Sequence, residues 1–236
     1  MALQAKRGFM PTDERDFGEK SLPKLRKAAE EVYYLLCRGY PVTNTTRFIG
    51  NHYQLSERQR LALARTIAPT DSIISRKNRE VSDIRGETIY IDGFNVIIGL
   101  EIAFSDSMLF KCMDGTIRDL AGIHGTYRLI PQTDFAIQAL LQTLDELQIQ
   151  KAVIYLDKPV SNSGRLKQRI YEFAESISFE LDVQIENPVD ALLKTKPMIA
   201  TSDAIILDKC NSWFNLVKYI INTKIGNFNY VDIISY

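Results

Sequence analysis

Apolar and polar positions alternate differently in the two parts of this chain. Up to residue 86, apolar residues recur three and four positions apart, as on one face of an amphipathic helix. From residue 87 onward, short apolar and β-branched runs alternate with helical stretches. This alternation predicts a mostly parallel sheet with helices on both faces. We therefore expect an α/β domain over residues 87–236, preceded by a small helical region over residues 1–86.

The same pattern predicts where the individual elements lie. In the N-terminal part, helices are expected at residues 22–38, 45–51 and 57–67, followed at residues 70–86 by a charged connection for which a helix is the alternative. In the second part, strands are expected at residues 87–91, 152–156, 181–185, 198–200 and 230–234, and helices at residues 132–147, 165–177, 188–193 and 211–221. Residues 95–104 fit either element, and residues 108–113 fit a strand. Because the second part has its own strands and helices, we expect it to fold alone.

The composition is that of an ordinary soluble globular protein. Of the 236 residues, 45% are hydrophobic and 25% are charged, which is enough for a sizeable core. No apolar run is long enough to span a bilayer, and the start lacks the apolar stretch of a signal peptide. A cytoplasmic location without a membrane is therefore expected. Three widely spaced cysteines, Cys37, Cys112 and Cys210, predict neither a disulfide framework nor a metal-binding pair.

The net charge is zero, but the charges are unevenly distributed. Residues 1–86 hold 16 Lys and Arg against 10 Asp and Glu, whereas residues 87–236 hold 13 against 19. A basic part that contacts a polyanion and an acidic part that holds cations would give this asymmetry. Mutual attraction of the two parts explains it equally well, so both interpretations stay open.

Four aspartates follow or flank the predicted strands. Asp92 comes directly after the first strand, Asp157 after the second, and Asp203 after the strand at residues 198–200. Asp190 begins the short helix that precedes this last strand. In open parallel sheets the active crevice lies beyond the carboxyl ends of the strands. We therefore expect these side chains to meet at one edge of the sheet.

Carboxylates gathered at one place repel one another, and a bound Mg²⁺ or Mn²⁺ relieves that repulsion because hard cations prefer oxygen ligands. Such a metal activates water and neutralises the charge of a phosphodiester in the transition state. The aspartate pattern thus predicts metal-dependent phosphodiester hydrolysis. Each aspartate taken singly also fits a helix cap or a turn, and that alternative stays open.

Residues 114–125 are polar, Gly-rich and too long for a tight turn, which favours a functional loop. Asp114, Asp119 and His124 are candidate auxiliary metal ligands or substrate contacts, and Arg118 is a further candidate substrate contact. A surface loop with capping aspartates is the alternative.

A second candidate anion site lies just before the predicted helix at residues 165–177. Backbone amides and a helix N-terminus attract anions. The candidate substrate-binding residues are Ser161, Asn162, Ser163 and Arg165. A plain helix cap explains the same residues.

The N-terminal helices offer a further possible phosphate contact. Arg58, Arg60 and Arg65 lie on one predicted helix after a short turn, as in helix-turn-helix modules. The alternative is a small bundle that packs on the α/β domain. Other chemistries are disfavoured, because the chain has only two histidines and lacks a nucleophile elbow, a phosphate loop and a dinucleotide fingerprint.

Asp92-Gly93-Phe94-Asn95 resembles the first acidic motif of NYN-type domains in the PIN-like nuclease superfamily. Val189-Asp190-Ala-Leu-Leu and Ile199-Ala-Thr-Ser-Asp203 resemble the two later acidic motifs. The resemblance covers residues 87–236. It implies a metal-dependent ribonuclease fold in which Asp92, Asp190 and Asp203 are ligands and Asn95 helps to order the first aspartate. Asn95 is also a candidate substrate contact. Asp157 matches less closely, and residues 105–131 and 161–165 depart from the pattern.

The whole chain also resembles an uncharacterised prokaryotic family with this two-part layout, which implies no activity of its own. The segments that carry this resemblance are Leu35-Leu-Cys-Arg-Gly-Tyr-Pro41, Leu55-Ser-Glu-Arg-Gln-Arg60, residues 114–119 and Pro159-Val-Ser-Asn-Ser-Gly164.

The expected function is a metal-dependent nuclease that acts on RNA. Asp92, Asp190 and Asp203 would hold Mg²⁺ or Mn²⁺, with Asp157 or Asp119 completing the shell. Two alternatives remain. One is a non-catalytic RNA-binding or complex-forming module with the same fold, and the other is a small-molecule phosphatase or nucleotide-processing enzyme.

Overall fold

The computed structural model describes residues 6–121, 125–226, 228 and 230–234, and its N-terminal part is helical. Apolar spacing and local caps account for these helices. Ser56 accepts a hydrogen bond from the amide of Gln59, whose side chain accepts one from the amide of Ser56, so a capping box starts one of them. The described helices of this part are α1 (Asp13–Phe17), α2 (Leu22–Leu36), α3 (Val42–His52), α4 (Glu57–Thr66) and α5 (Thr70–Arg79).

The second part alternates strands and helices, as the apolar pattern predicted. Its elements in chain order are β1 (Thr88–Asp92), α6 (Gly93–Phe104), β2 (Phe110–Lys111), β3 (Ile117–Arg118), α7 (Pro131–Glu146), β4 (Lys151–Asp157), α8 (Ser163–Glu172), β5 (Glu180–Glu186), α9 (Val189–Leu193), β6 (Ile199–Ala200), α10 (Ala204–Leu207) and α11 (Leu216–Ile220), which continues into a π-helical turn at Ile221–Ile225. None of the described helices is long and apolar enough to cross a membrane.

A four-stranded parallel sheet in the order β5-β4-β1-β6 forms the centre of this part, and β2 and β3 form a separate antiparallel hairpin. Alternate side chains of the strands pack into two cores, one on each face. Ile89, Ile91 and Ile154 pack with α6 and α7, whereas Val153 and Tyr155 pack with α9 and α10. The predicted class, a parallel α/β sheet preceded by a helical region, is confirmed at this level.

The structure settles one ambiguous segment, and tertiary pairing changes two of the predicted elements. Residues 95–104, which fit either element, form a helix that is buried over most of its length. The helix expected from residue 211 begins only at Leu216, because Trp213 pairs with Glu80 and Ile199 in extended backbone. The strand expected at residues 230–234 is wrong. Val231 makes a single bridge to Phe110, since its partner strand is only two residues long.

The N-terminal helices share a core with the second part. Phe110, Leu120 and Ile233 pack in one cluster with Leu25 and Leu63 of α2 and α4. Burial of this kind contributes roughly 25 cal/mol for each Å² of apolar surface removed from water. Removing the helices would therefore expose apolar surface of the second part.

Independent folding of residues 87–236 is opposed by these contacts. We expect this fragment to aggregate or to unfold without a sharp thermal transition, and co-expression with residues 1–86 to restore folding. Circular dichroism melts of the fragment, the pair and the full chain provide the comparison. A fragment that melts cooperatively near the full chain's temperature would show that the shared core is dispensable.

Candidate functional site

The order of the parallel strands reverses at β1. The chain runs from β1 to β4 and β5 on one side, and then returns to add β6 on the other side. Ligands of open α/β sheets bind outside the carboxyl ends of the strands at such a point. Asp92 ends β1, Asp157 ends β4, and Asp203 follows β6 by three residues. The parallel pairing places these three aspartates at the same edge of the sheet.

Asp92 is buried and held by hydrogen bonds on both carboxylate oxygens. Its Oδ1 accepts a hydrogen bond from the amide of Asn95 at 3.4 Å, which caps α6, and its Oδ2 accepts one from the hydroxyl of Thr201 at 2.9 Å. Gly93 allows α6 to start this close to β4, because a Cβ there would lie 2.8 Å from the carbonyl oxygen of Tyr155. The position of the carboxylate is therefore set by backbone and side chain together.

Burial raises the pKa of Asp92 to about 7. The hydrogen bonds from Thr201 and Asn95 offset part of that rise, whereas the neighbouring carboxylates of Asp157 and Asp203 add to it. A carboxyl group with this pKa exchanges its proton near neutral pH, which is where a general acid or base is most effective.

Asp157 connects the fourth aspartate to this group. Burial and the neighbouring carboxylate of Asp190 raise its pKa, and the backbone amide of Val189 offsets part of the shift. Asp190 lies exposed in the first turn of α9. Charge repulsion thus acts within three neighbouring pairs, which are Asp203 with Asp92, Asp92 with Asp157, and Asp157 with Asp190.

The turn after β6 is tied to Asp92 and to α6. Asp203 caps α10, accepting hydrogen bonds from the amides of Ile205 and Ile206 at 2.7 and 3.1 Å. The side-chain oxygen of Asn95, a predicted substrate contact, accepts hydrogen bonds from the amide and hydroxyl of Ser202 at 2.7 and 3.0 Å. Asn95 therefore fixes the turn that carries Asp203.

Thr201 and Ser202 were not among the predicted site residues. The sequence contains a feature that points to them, because these two hydroxyl residues directly follow the apolar end of a strand. Their partners lie more than a hundred positions away and could not be assigned from the sequence.

The four aspartates do not form a compact metal cluster. Among residues 6–121, 125–226, 228 and 230–234, no group of three or more acidic, Cys or His side chains is placed to hold a metal ion. The donor chemistry nevertheless suits a hard cation. Mg²⁺ usually keeps several waters and binds through one or two carboxylates together with substrate phosphates. The pairs of aspartates, rather than a set of three, are therefore the relevant donors.

A cleft of about 670 Å³ opens beside this edge of the sheet, between the two parts of the chain. Its N-terminal side includes Arg65, Pro69 and Ser72, and its other side includes Asn95, Ser202 and Asp203.

Asp119, a predicted metal ligand, lines the same cleft beside Arg65. Its Oδ1 accepts a hydrogen bond from the amide of Ala121 at 2.6 Å and lies 3.5 Å from Nη1 of Arg65. Burial raises the pKa of Asp119, and Arg65 offsets part of that rise.

Arg118, a predicted substrate contact, is buried and bonded within the protein. Its guanidinium donates to the carbonyl oxygens of Ser202 at 2.6 Å and Arg65 at 2.5 Å, and to Asp114 at 2.5 Å. Asp114 also accepts a hydrogen bond from Arg76 at 2.7 Å. Burial opposes ionisation of Asp114, but Arg118, Thr116 and Arg76 outweigh it and lower its pKa. This network joins α5 to the β2–β3 hairpin and to the turn after β6.

Residues of the predicted anion site before α8 are hydrogen-bonded to the backbone of Tyr127. The hydroxyl of Ser161 accepts from the amide of Tyr127 at 2.9 Å, and the side-chain amide of Asn162 donates to the carbonyl of Tyr127 at 2.6 Å. Ser163 is buried at the start of α8, and Arg165 is exposed. Two of the four predicted residues are thus engaged internally. His124 lies outside the described residues.

Two family profiles match the chain, one in each of its two parts. A profile described as "Domain of unknown function (DUF5616)" matches residues 81–219, which is more than half of the chain. The chain belongs to the DUF5616 family. All four aspartates lie within this DUF5616 match. A second profile, "Protein of unknown function (DUF434)", matches residues 24–79 and covers Arg65 and Arg76.

A relative of this DUF5616 protein occurs in Methanocaldococcus jannaschii. The protein, named "Uncharacterized protein MJ0935", is 39% identical over 200 residues, which cover 84% of this chain and 93% of the relative. The similarity therefore extends over both parts of this chain. No solved structure matches the chain.

Proposed function

We propose that this protein hydrolyses phosphodiester bonds with Mg²⁺ or Mn²⁺ and that RNA is its substrate. The observation that carries the proposal is the buried carboxyl group of Asp92 at the point where the strand order reverses. It is flanked by Asp157 and Asp203, and its pKa lies at about 7. Functional sites are where burial and like charges are combined to shift pKa values in this way.

The proposed donors to the cation are a neighbouring pair of aspartates, Asp92 with Asp203 or Asp157 with Asp190, in place of the set of three expected from the sequence. A bound Mg²⁺ or Mn²⁺ would supply charge neutralisation at the phosphate and activation of water. The same aspartates and the strand order support a PIN-like arrangement of the domain.

The other residues of the site position Asp92 and its neighbours. Thr201 fixes Oδ2 of Asp92, and Asn95 fixes the turn that carries Asp203 through Ser202. Asp92 itself can hold or release a proton near neutral pH at an orientation set by these hydrogen bonds.

A nucleotide-processing or phosphatase activity is the second candidate. The cleft volume of about 670 Å³ falls within the range of small-molecule sites, roughly 300–1,000 Å³. A mononucleotide would fit such a cleft without a polymer attached.

Cleavage assays separate these functions. We expect wild-type protein to cleave labelled single-stranded RNA when Mg²⁺ or Mn²⁺ is added and to stop when EDTA is added. Release of phosphate from mononucleotides, with intact RNA, would favour the second candidate. Absence of cleavage of RNA, single-stranded DNA and mononucleotides with either metal would leave a non-catalytic module.

A further inference from the structure

The cleft beside the aspartates is built by both family regions. Arg65 belongs to α4 in the DUF434 part, whereas Asn95, Ser202 and Asp203 belong to the DUF5616 part. A ligand that reaches Asp203 through this cleft therefore also meets the N-terminal helices. Neither region forms the cleft without the other.

Arg65 differs from the other two arginines that line the cleft. Arg76 and Arg118 are buried, and both bond the fully buried carboxylate of Asp114. The Arg65 side chain keeps 33% of its surface exposed, and its contact with the Asp119 carboxylate is long, at 3.5 Å.

The guanidinium of Arg65 has donors left for a ligand. Its Nη1 donates to the carbonyl oxygen of Asp119 at 2.6 Å. A guanidinium carries five N–H groups in a planar fork that matches phosphate oxygens. The hydrogen bonds seen within the described part of the chain involve only Nη1, so the rest of the fork is free to bind a phosphate group.

Part of the remaining cleft surface is apolar, and two of its side chains are exposed to solvent. Ile205, in the first turn of α10, keeps 60% of its surface exposed beside Asp203, and Val42 is also exposed. Pro69 and Ile98 continue this wall. Exposed apolar side chains next to a partly exposed guanidinium suit a ligand with a flat apolar part joined to an anion. A nucleoside phosphate has this chemistry.

We propose that Arg65 of the N-terminal region binds a phosphate group of the substrate, while Val42, Pro69 and Ile205 contact the adjoining nucleoside. The ligand is a nucleoside phosphate, either within RNA or as a free mononucleotide. This inference rests on the proposed function for the identity of the substrate. It assigns the N-terminal region a direct part in substrate binding.

The neighbouring arginines of α4 provide internal controls. Arg60 donates to the carbonyl oxygens of Leu55 and Arg47 and to the side chain of Asn51, away from the cleft. Arg58 is paired with Asp13. Of the three arginines predicted to contact phosphates, the geometry thus favours Arg65 alone.

The test is the affinity of the full-length variants for a fluorescein-labelled single-stranded RNA, measured by fluorescence anisotropy in EDTA to prevent cleavage. Arg65→Ala should weaken binding about tenfold or more, since a hydrogen bond to a charged group is lost. It should also lower the slope of log affinity against log salt by about 0.7, the value for one phosphate contact on a single strand. Arg60→Ala, with the same change of charge on the same helix, should leave both quantities near wild type.

Two further variants show whether a change in RNA affinity comes from the cleft or from a folding defect. Asp119→Asn removes the carboxylate beside Arg65 and should tighten binding, which an unfolded protein cannot do. Ile205→Ala should weaken binding without lowering the melting temperature, because the side chain is exposed. Adenosine 5′-monophosphate as competitor distinguishes the two ligand sources, because it displaces the RNA only if a mononucleotide suffices.

Equal affinities and salt slopes for Arg65→Ala and Arg60→Ala would overturn the inference. If wild type cleaves RNA while Arg65→Ala binds it normally, the substrate site lies elsewhere and the proposed function stands. If wild type binds RNA through Arg65 but cleaves nothing, the binding site stands and the proposed function fails.

Discussion

Asp114→Ala is expected to lower the free energy of unfolding by about 3–5 kcal/mol, which is the usual cost of breaking a buried ion pair from one side. Asp114 is fully buried and bonds the guanidinium groups of Arg76 and Arg118, which are themselves almost fully buried. Removing the carboxylate takes away the one ion-pair partner that the described residues give Arg118, and it leaves Arg76 with the part-exposed Asp208 alone. Urea denaturation followed by circular dichroism measures the loss.

Asp208→Ala is the matched control. Asp208 pairs with the same Arg76 at 2.7 Å, but its side chain is 40% exposed, so water replaces much of the interaction. Its loss should cost about 1 kcal/mol or less. Equal losses for the two variants would show that Asp114 is no more important than a surface partner.

Asp92→Asn is expected to stabilise the metal-free protein at high pH. In the unfolded chain this carboxyl group ionises near its ordinary pKa of 3.8, whereas the folded protein holds the proton up to about pH 7. As pH rises between these values, ionisation favours the unfolded chain, and above pH 7 the full penalty applies. Each pH unit between the two pKa values destabilises the folded protein by about 1.4 kcal/mol, so the full penalty is about 4 kcal/mol. The uncharged asparagine removes this penalty but costs about 1 kcal/mol, because its side chain makes one poorer hydrogen bond.

The gain from Asp92→Asn should therefore be about 3 kcal/mol near pH 8 and should disappear near pH 4. Urea denaturation of both proteins in EDTA at these two pH values tests the direction. Asp190→Asn serves as the control, because Asp190 is exposed and its replacement should change stability little at either pH. A gain from Asp92→Asn that does not change with pH would mean that burial does not shift the ionisation of this carboxyl group.

The sheet and its aspartates were predictable because they depend on local pattern. Apolar β-branched runs mark the strands, and a polar residue after each run marks its carboxyl end. Parallel pairing then brings Asp92, Asp157 and Asp203 to one edge, wherever the connecting helices run.

The remaining features depend on contacts between distant segments. Residues 211–215 have a helical pattern, but extended pairing of Trp213 with Glu80 and Ile199 prevents a helix there. Arg118 resembles a substrate contact in sequence, yet its partners Asp114 and Ser202 bury it. Nothing local distinguishes such an arginine from one that faces a cleft.

The cleft itself is the clearest example. Arg58, Arg60 and Arg65 are equivalent on the helix pattern, and only the packing of α4 against the second part directs one of them to the cleft. Likewise, the pairwise spacing of the four aspartates depends on the paths of the loops between strands.

Whether Asp92 takes part in metal-dependent phosphodiester hydrolysis is measured by the rate of RNA cleavage by wild type and Asp92→Asn with saturating Mg²⁺ or Mn²⁺, together with the melting temperature. Asp106→Asn is the matched control, since it removes a charge from an exposed position with a positive φ that asparagine tolerates well. We expect metal-dependent cleavage by wild type and Asp106→Asn, and a rate at least about a hundredfold lower for a folded Asp92→Asn, because metal-based stabilisation of the transition state is worth several kcal/mol. Equal rates for wild type and Asp92→Asn, or cleavage that persists in EDTA, would contradict this expectation.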